Sequence, residues 1–378
     1  MTATSGPGEG AAVAPGGASH GLVWVLRLVV TLLVPIVAFL LLWLSFDYLR
    51  DEDANRLLVV VVAVLVGVFG VFFLYWGMNR ALEWVPERLR EGVRPFIFIG
   101  PALVILSVFL VYPVFNTFLI SLKDATGDSF VGLDNFTFLF TDDSMLRSIR
   151  NTAGWMILVP IVAVSIGLLF ATLADRLRRG EAIAKSMIFL PMAISFAGAA
   201  VTWRLIYSFR PQGFGSNIGL LNGIMSGLGQ EPVAWLQIQP WNNLFLMVIM
   251  VWMQTGFAMV VLSAAIKAIP DEIIEAARID GANELQVFRR IIVPSILPTI
   301  VVVTTYMVIN ALKVFDIVFV IGSAEANGTE VIAERMIDWF FISNHDGRGA
   351  AIAVLLFAAV VPVMIWNVRR FREQESIR

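Results

Sequence analysis

The sequence predicts an all-α polytopic membrane protein of eight transmembrane helices with both termini in the cytoplasm. Three observations carry that expectation. Hydrophobic residues make up 58% of the 378 and charged residues only 15%, with a mean hydropathy of +0.81, whereas soluble domains are about 25% charged. Several apolar runs exceed the roughly 20 residues that a helix needs to cross a bilayer. Basic residues are also divided unevenly between alternate connections, with 16 Lys and Arg in one set and 8 in the other. The richer set is cytoplasmic by the positive-inside rule, since the loops are short enough for it to apply.

Residues 1–20, rich in Gly, Ala, Ser and Pro, are expected to be a disordered tail. They hold no Lys or Arg, so they lack the charged start of a secretory signal, and the next apolar run, 22–44, is long for one. That run is the expected first span, with Arg27 snorkelling near its cytoplasmic end. A short charged loop, 47–56, leads to the second span at 57–78. With a charged, proline-containing connector at 80–94, expected to carry a short surface helix, these form an N-terminal unit over 21–94. The remaining spans are expected at 96–122, 153–174, 187–207, 244–266, 295–321 and 350–366, as a six-helix core over 95–378. The connection 123–150 is polar, 176–185 basic, and 208–241 rich in Gly, Asn and Pro. Asp175 and the arginines after it read as solvated topology signals, and Trp235 and Trp241 as interfacial anchors.

One polar island interrupts this pattern at 267–298, between the sixth and seventh spans. Pro270 suits a first helical position, and Asp271 and Glu272 complement the positive helix N-terminus. A short helix is expected from there to Asp280. Gly281 stops it with a positive φ and permits a bend that a side chain would obstruct. Asn283 and Gln286 then have the spacing of a capping box for a second helix.

Several chemistries are excluded. No Cys is present, and His20 and His345 stand far apart, so thiol chemistry, disulfides and a His-based metal site are not expected. A formal net charge of −2 gives no basic footprint for nucleic acid. No GxxxxGK[ST] phosphate loop occurs. Asp142 and Asp143 are adjacent carboxylates in an exposed loop, where solvation is the expected role.

Motifs in a fixed order add to this reading: FVGLDNF at 130–136, FLPMAIS at 189–195, GLLN at 219–222, EAARIDGA at 275–282 with Phe288, Ile291, Pro294 and Pro298 beyond it, KVFDIVFV at 313–320 and NVRRFRE at 367–373. Over 95–378 the chain thereby resembles the permease subunits of bacterial ABC importers, in particular the carbohydrate-uptake branch. It is similar to the larger maltose-type subunit and, because 123–150 is short, closer to α-glucoside and general sugar permeases.

The resemblance implies a type I ABC-importer transmembrane-domain fold in the bacterial cytoplasmic membrane, with no catalysis and no bound cofactor on this chain. It implies as partners a second homologous permease, two cytoplasmic ATPase subunits that use ATP and Mg, an extracytoplasmic solute-binding protein, and a sugar, an α-glucoside or disaccharide. Coupling to the ATPase is expected through 271–290. There Glu275 would meet a basic or amide group, Ala276 and Ala277 would allow close approach, and Asp280, Gly281, Ala282, Phe288 and Pro294 complete the motif.

Polar groups inside spans are costly and usually face a cavity or each other. The resemblance brings the family's sugar-contacting positions to or near Met250, Met253, Gln254, Phe257, Met307, Ala311 and Val314, several of them apolar here. Candidates for the solute pathway are Met253, Gln254, Phe257, Asn310, Lys313 and Asp316. Lys313 and Asp316 have the spacing to pair on one helical face, as a structural ion pair or as pathway residues. Phe257 reads as a packing residue ahead of a sugar-stacking platform. A secondary transporter or channel working without ATP is the alternative class; it leaves the 275–298 pattern unexplained, and no clear internal repeat supports it.

Overall fold

The computed structural model describes residues 33, 37, 40–41, 43–51, 55–82, 87–175, 177, 179–211, 218–322 and 324–375. The expected tail 1–20, most of the expected first span, Arg176, Arg178 and 376–378 lie outside the described residues. The chain divides into two compact units, Met1–Pro113 and Val114–Arg378.

In the first unit, Asn55 accepts a hydrogen bond from the Leu57 amide at 3.0 Å and caps α1 (Arg56–Leu65). The helix passes through a π-helical turn, Val66–Gly70, into α2 (Val71–Leu82). Its partner is α3 (Glu87–Leu106), on which the Phe98 carbonyl accepts from the Tyr75 hydroxyl at 3.3 Å while the two rings stack. The expected surface helix at 80–94 is corrected here: from Glu87 onward it is continuous with the third span. The helix runs on through Pro95 and Pro101, each of which leaves one carbonyl without its intrahelical donor. A π-helical turn, Ser107–Val111, leads into α4 (Tyr112–Ile120), where the unit boundary falls.

The second unit starts with α5 (Asp134–Thr141) and α6 (Asp143–Ala174), a helix ten residues longer than the span expected at 153–174. Asp142 caps α6 by accepting from the Met145 amide at 3.0 Å, which gives that loop carboxylate a structural role. Then come α7 (Glu181–Phe189), a 3₁₀ turn (Leu190–Ala193), α8 (Phe196–Ile206), α9 (Leu220–Gly227) and α10 (Asn242–Lys267). The polar island gives α11 (Asp271–Ile279) and α12 (Glu284–Val287), a π-helical turn (Phe288–Ile292) and α13 (Val293–Ser295). The chain continues through α14 (Leu297–Leu312), α15 (Asp316–Ile321), α16 (Ala324–Asn327) and α17 (Ile332–Ile337). After a π-helical turn, Asp338–Ile342, it ends in α18 (Asp346–Glu375).

Among the described residues, four helices are long and apolar enough to cross a membrane: Ala102–Ile120, Asp143–Ala174, Asn242–Lys267 and Asp346–Ile365. The expected fifth and seventh spans are not single helices. Glu181–Ala193 and Phe196–Ile206 meet at 99°, and Glu284–Ser295 and Leu297–Leu312 at 68°. Both breaks have a local cause. Pro191 sits in the 3₁₀ turn before the first, and the Ser195 hydroxyl caps the new helix by accepting from the Gly198 amide at 3.0 Å. Pro298 in the first turn of α14 cannot continue a helix arriving from α13, since its ring lacks the donor and would meet the carbonyl four residues back. A further break at 313–315 separates α15 from the same expected span.

Three apolar clusters hold the long helices together, one of them joining Met145 of α6 to Ala351 and Ile352 of α18. Trp155, Val159, Tyr207, Ile249, Met250, Met253 and Ile317 form a second, and Ala163, Ala258, Met259, Leu262, Ile296 and Met307 the third. Gly167 allows α6 and α10 to touch, since a Cβ there would lie 2.5 Å from the Ala258 Cβ.

Candidate functional site

Two features stand out: an exposed arm between α10 and α14, and a cavity beside α14 and α15. None of the residues of α11 is buried, and Ile279 on it is 85% exposed. The helix is therefore stabilised at its ends. At the C-terminal end the Gly281 amide donates to the Arg278 carbonyl at 3.1 Å and the Ala282 amide to the Ala277 carbonyl at 3.0 Å, which together are a Schellman motif. Gly281 supplies the required positive φ of 83°. One expectation is corrected: nothing lies within 4 Å of a Cβ built at Gly281, so backbone conformation and not crowding demands the glycine. Pro270 is also displaced by one position, lying just outside the helix.

The second half of the arm carries the expected capping box. Asn283 Oδ1 accepts from the Gln286 amide at 2.9 Å, and Gln286 Oε1 accepts from the Asn283 amide at 2.8 Å. Arg278 and Glu284 bridge the bend at 3.0 Å. Val287, 1% exposed, anchors the arm to the bundle. Phe288 is half-buried and opens the π-helical turn that precedes Pro294. Glu275, Ala276, Asp280 and Pro294 are exposed, while Ala277 and Ala282 are half-buried. The arm is a preformed helix, bend and helix with a free outer face.

At the root of this arm, Asp175, read from sequence as solvated, belongs to a charge network. Lys185 Nζ donates to Asp175 Oδ1 and to Ser263 Oγ, each at 2.5 Å, and to Glu181 Oε1 at 2.7 Å. Ser263 in turn donates to Asp175 Oδ1 at 2.7 Å, and Lys267 pairs with Glu181. The Asp175 and Lys185 side chains are 13% and 18% exposed, which corrects the solvated reading of Asp175.

The cavity encloses about 270 Å³ and is lined by Phe196, Met250, Asn310, Lys313, Val314, Phe315, Asp316 and Ile317. It thus gathers three of the six expected pathway residues, Asn310, Lys313 and Asp316, with Met250 and Val314 from the positions that the resemblance brought forward. Lys313 and Asp316 do not share a helical face, because α14 ends at Leu312 and Asp316 opens α15. Among the described residues no ion pair joins them, and both are exposed and line the cavity. Asn310 Nδ2 donates to the Tyr306 carbonyl at 2.9 Å, leaving its carbonyl oxygen for another donor.

The other three pathway candidates do not line that cavity. Met253 is 4% exposed and belongs to the apolar cluster around Trp155. Gln254 is 3% exposed, and its Oε1 accepts no hydrogen bond among the described residues. Phe257 packs against the Tyr306 ring at 4.6 Å.

The connections at the other end of the bundle are tied down by polar side chains that no periodicity reveals. Asn222, fully buried in α9, donates to the Ser208 and Val233 carbonyls at 2.9 and 3.0 Å and accepts from the Val233 amide at 2.8 Å. Trp235 donates to the same Asn222 Oδ1 at 3.2 Å and packs edge-on to Phe245. It is therefore loop packing and not the expected interfacial anchor, whereas Trp241 is 58% exposed. Glu330, fully buried, pairs with Arg147 at 3.2 Å. Asn151 donates to the Gly328 and Glu330 carbonyls, each at 2.9 Å, bolting that loop to α6. Burial pushes the Glu334 carboxyl up to about 7 against the opposing pull of Arg335.

Residues 163–370 match the family model of the binding-protein-dependent transport system inner membrane component. The chain belongs to that family. The matched residues include the whole exposed arm, the charge network and every residue lining the cavity. An α-glucoside transport system permease protein of Rhizobium meliloti is 45% identical over 329 residues, covering 83% of this chain and 97% of that one. An osmoprotective compounds uptake permease protein of Synechocystis is 52% identical over 282 residues, covering 75% of this chain and 100% of that one. A solved bacterial ABC transporter involved in the import of alginate shares the fold, with a TM-score of 0.66 at 22% identity over 76% of this chain and 99% of that one. The chain is accordingly a multi-pass inner-membrane transport subunit with an ABC-importer transmembrane-domain fold, and not an enzyme.

Proposed function

We propose that this chain is one of two homologous permease subunits of an ATP-driven importer, forming half of the pathway for an α-glucoside or a similar hydroxyl-rich solute. Two cytoplasmic ATPase subunits, using ATP and Mg, drive it through 271–290, and an extracytoplasmic solute-binding protein delivers the solute. The chain crosses the membrane eight times, with both termini in the cytoplasm. Residues 21–94 contribute the two additional spans and 95–378 the six-helix core.

The observation that carries this reading is the free-standing arm. A helix with no buried residue, closed at its C-terminal end by a Schellman motif and joined by short connections to the sixth and seventh spans, is built to be held by another protein. Asn310, Lys313 and Asp316 give the cavity donors and acceptors, and Phe196 and Phe315 give it apolar walls, a combination suited to a sugar. The names of the relatives supply the solute class.

The test is uptake into proteoliposomes holding the complete complex and its binding protein. Uptake of α-glucosides that requires ATP inside is the expected result. Uptake with no ATPase subunit or ATP present would overturn the reading. A panel that adds polyol glycosides separates the α-glucoside solute from an osmoprotectant.

A further inference from the structure

The charge network sits where α6 ends, α7 begins and α10 ends. Glu181 and Lys185 share one face of α7, Ser263 and Lys267 one face of α10, and Asp175 closes α6. Isolated surface ion pairs contribute little. Here, however, Lys185 contacts three partners on three elements and is 18% exposed, while Ser263 is 2% exposed. Removing the lysine would leave Asp175, 13% exposed, with only the longer 3.8 Å approach of Lys267 as a counter-charge.

A second contact fixes α7 to α10 nearer the cavity. A Cβ at Gly256 would lie 2.5 Å from the Ile188 carbonyl oxygen and 2.6 Å from the Phe189 Cα, so the two backbones touch there. Two attachments along one helix prevent it from pivoting. From the top of α7, one 3₁₀ turn and the 99° bend lead directly to Phe196, which lines the cavity. From the bottom of α10, Lys267 leads within four residues to α11.

We propose that Lys185, through Asp175, Glu181 and Ser263, is a positioning residue that clamps α7 to α10 throughout the transport cycle. Movement of the exposed arm then carries Phe196 and reshapes the cavity wall. The clamp does not touch solute; it converts displacement at α11 into displacement at the cavity. This rests on the importer reading above.

The chain has no Cys, so introduced pairs are the only thiols in it. In the full complex, Glu181→Cys with Lys267→Cys is joined by a short, reducible bifunctional thiol reagent. Because Glu181 belongs to the clamp, a permanent clamp predicts that the unjoined pair moves less solute per ATP than wild type and that joining restores it. Loss of uptake on joining, restored by reductant, overturns the proposal, because the pair would then have to open. In parallel, Lys185→Met is expected to keep ATP hydrolysis while solute moved per ATP falls about tenfold, and Lys185→Arg to restore it. Unchanged solute per ATP in Lys185→Met contradicts the proposal. Should Lys185→Met fail to assemble, the joined pair decides alone. Wild-type uptake that needs no ATP would refute the importer reading instead, which keeps the two failures apart.

Discussion

The Glu334 carboxyl lies in α17 with its Oε2 buried and accepting no hydrogen bond among the described residues. Its surroundings include Arg335 and also Glu325, Glu330 and Asp338, so the favourable guanidinium is offset by like charges after burial has raised the pKa to about 7. A carboxyl with a folded-state pKa above its ordinary value holds extra protons when folded, so stability falls as pH rises from about 4.5 to 7. Glu334→Gln is expected to raise thermal stability of the purified protein above pH 7 by about 1 kcal/mol, after discounting for partial exposure, and to change little near pH 5. Thermal unfolding in detergent at both pH values checks it; equal shifts at both would be inconsistent with a titrating penalty. Glu334 also marks a limit of legibility. The capping box of Asn283 and Gln286 is a short-range pattern and can be read directly from spacing. Asn222, Glu330 and Lys185 have partners 10 to 186 residues away, and nothing local distinguishes them from solvated polar residues.

At the scale of elements, the exposed arm is legible because its signals are local: acids in the first turn, a glycine at the stop, a cap three residues before its partner. The reason for the glycine is less so. With φ at 83° and open space around it, Gly281 is a conformational requirement. Gly281→Asn is therefore expected to retain the arm, and Gly281→Val to lose about 1 kcal/mol or more of local stability, because a β-branched residue resists the left-handed region. Hydrogen exchange of the 277–282 amides distinguishes them, and equal protection in both variants would contradict this. Gly256 is the opposite case. Its neighbours are backbone atoms that cannot yield, so Gly256→Val is expected to reduce the folded yield sharply where Gly281→Asn does not. Hydropathy finds the apolar content of the expected fifth and seventh spans but not the bends within them. Pro191 and Pro298 mark where a helix is free to end, and only the packing of both arms fixes the 99° and 68° turns.

For the whole molecule, composition and charge asymmetry are enough to predict a polytopic bundle, and the ordered motifs enough to predict its family. The division of the cavity residues was less accessible. Spacing alone brings Lys313 and Asp316 together as a helical pair, but the break at 313–315 turns them into separate cavity groups. Met253, Gln254 and Phe257 fall one and two turns beyond Met250 and are taken up by packing. What unites these scales is mechanical. An arm whose first helix, α11, has no buried residue follows α10 in the chain, α10 is joined to α7, and α7 leads to the cavity wall. The most direct measurement is solute uptake alongside ATP hydrolysis by the complete complex carrying Glu275→Lys, which reverses the charge on the free face of α11 without touching the bundle. If force enters through this helix, ATPase docking weakens and uptake falls at least tenfold while the chain still folds and inserts. Full ATPase docking with unchanged uptake would contradict the account.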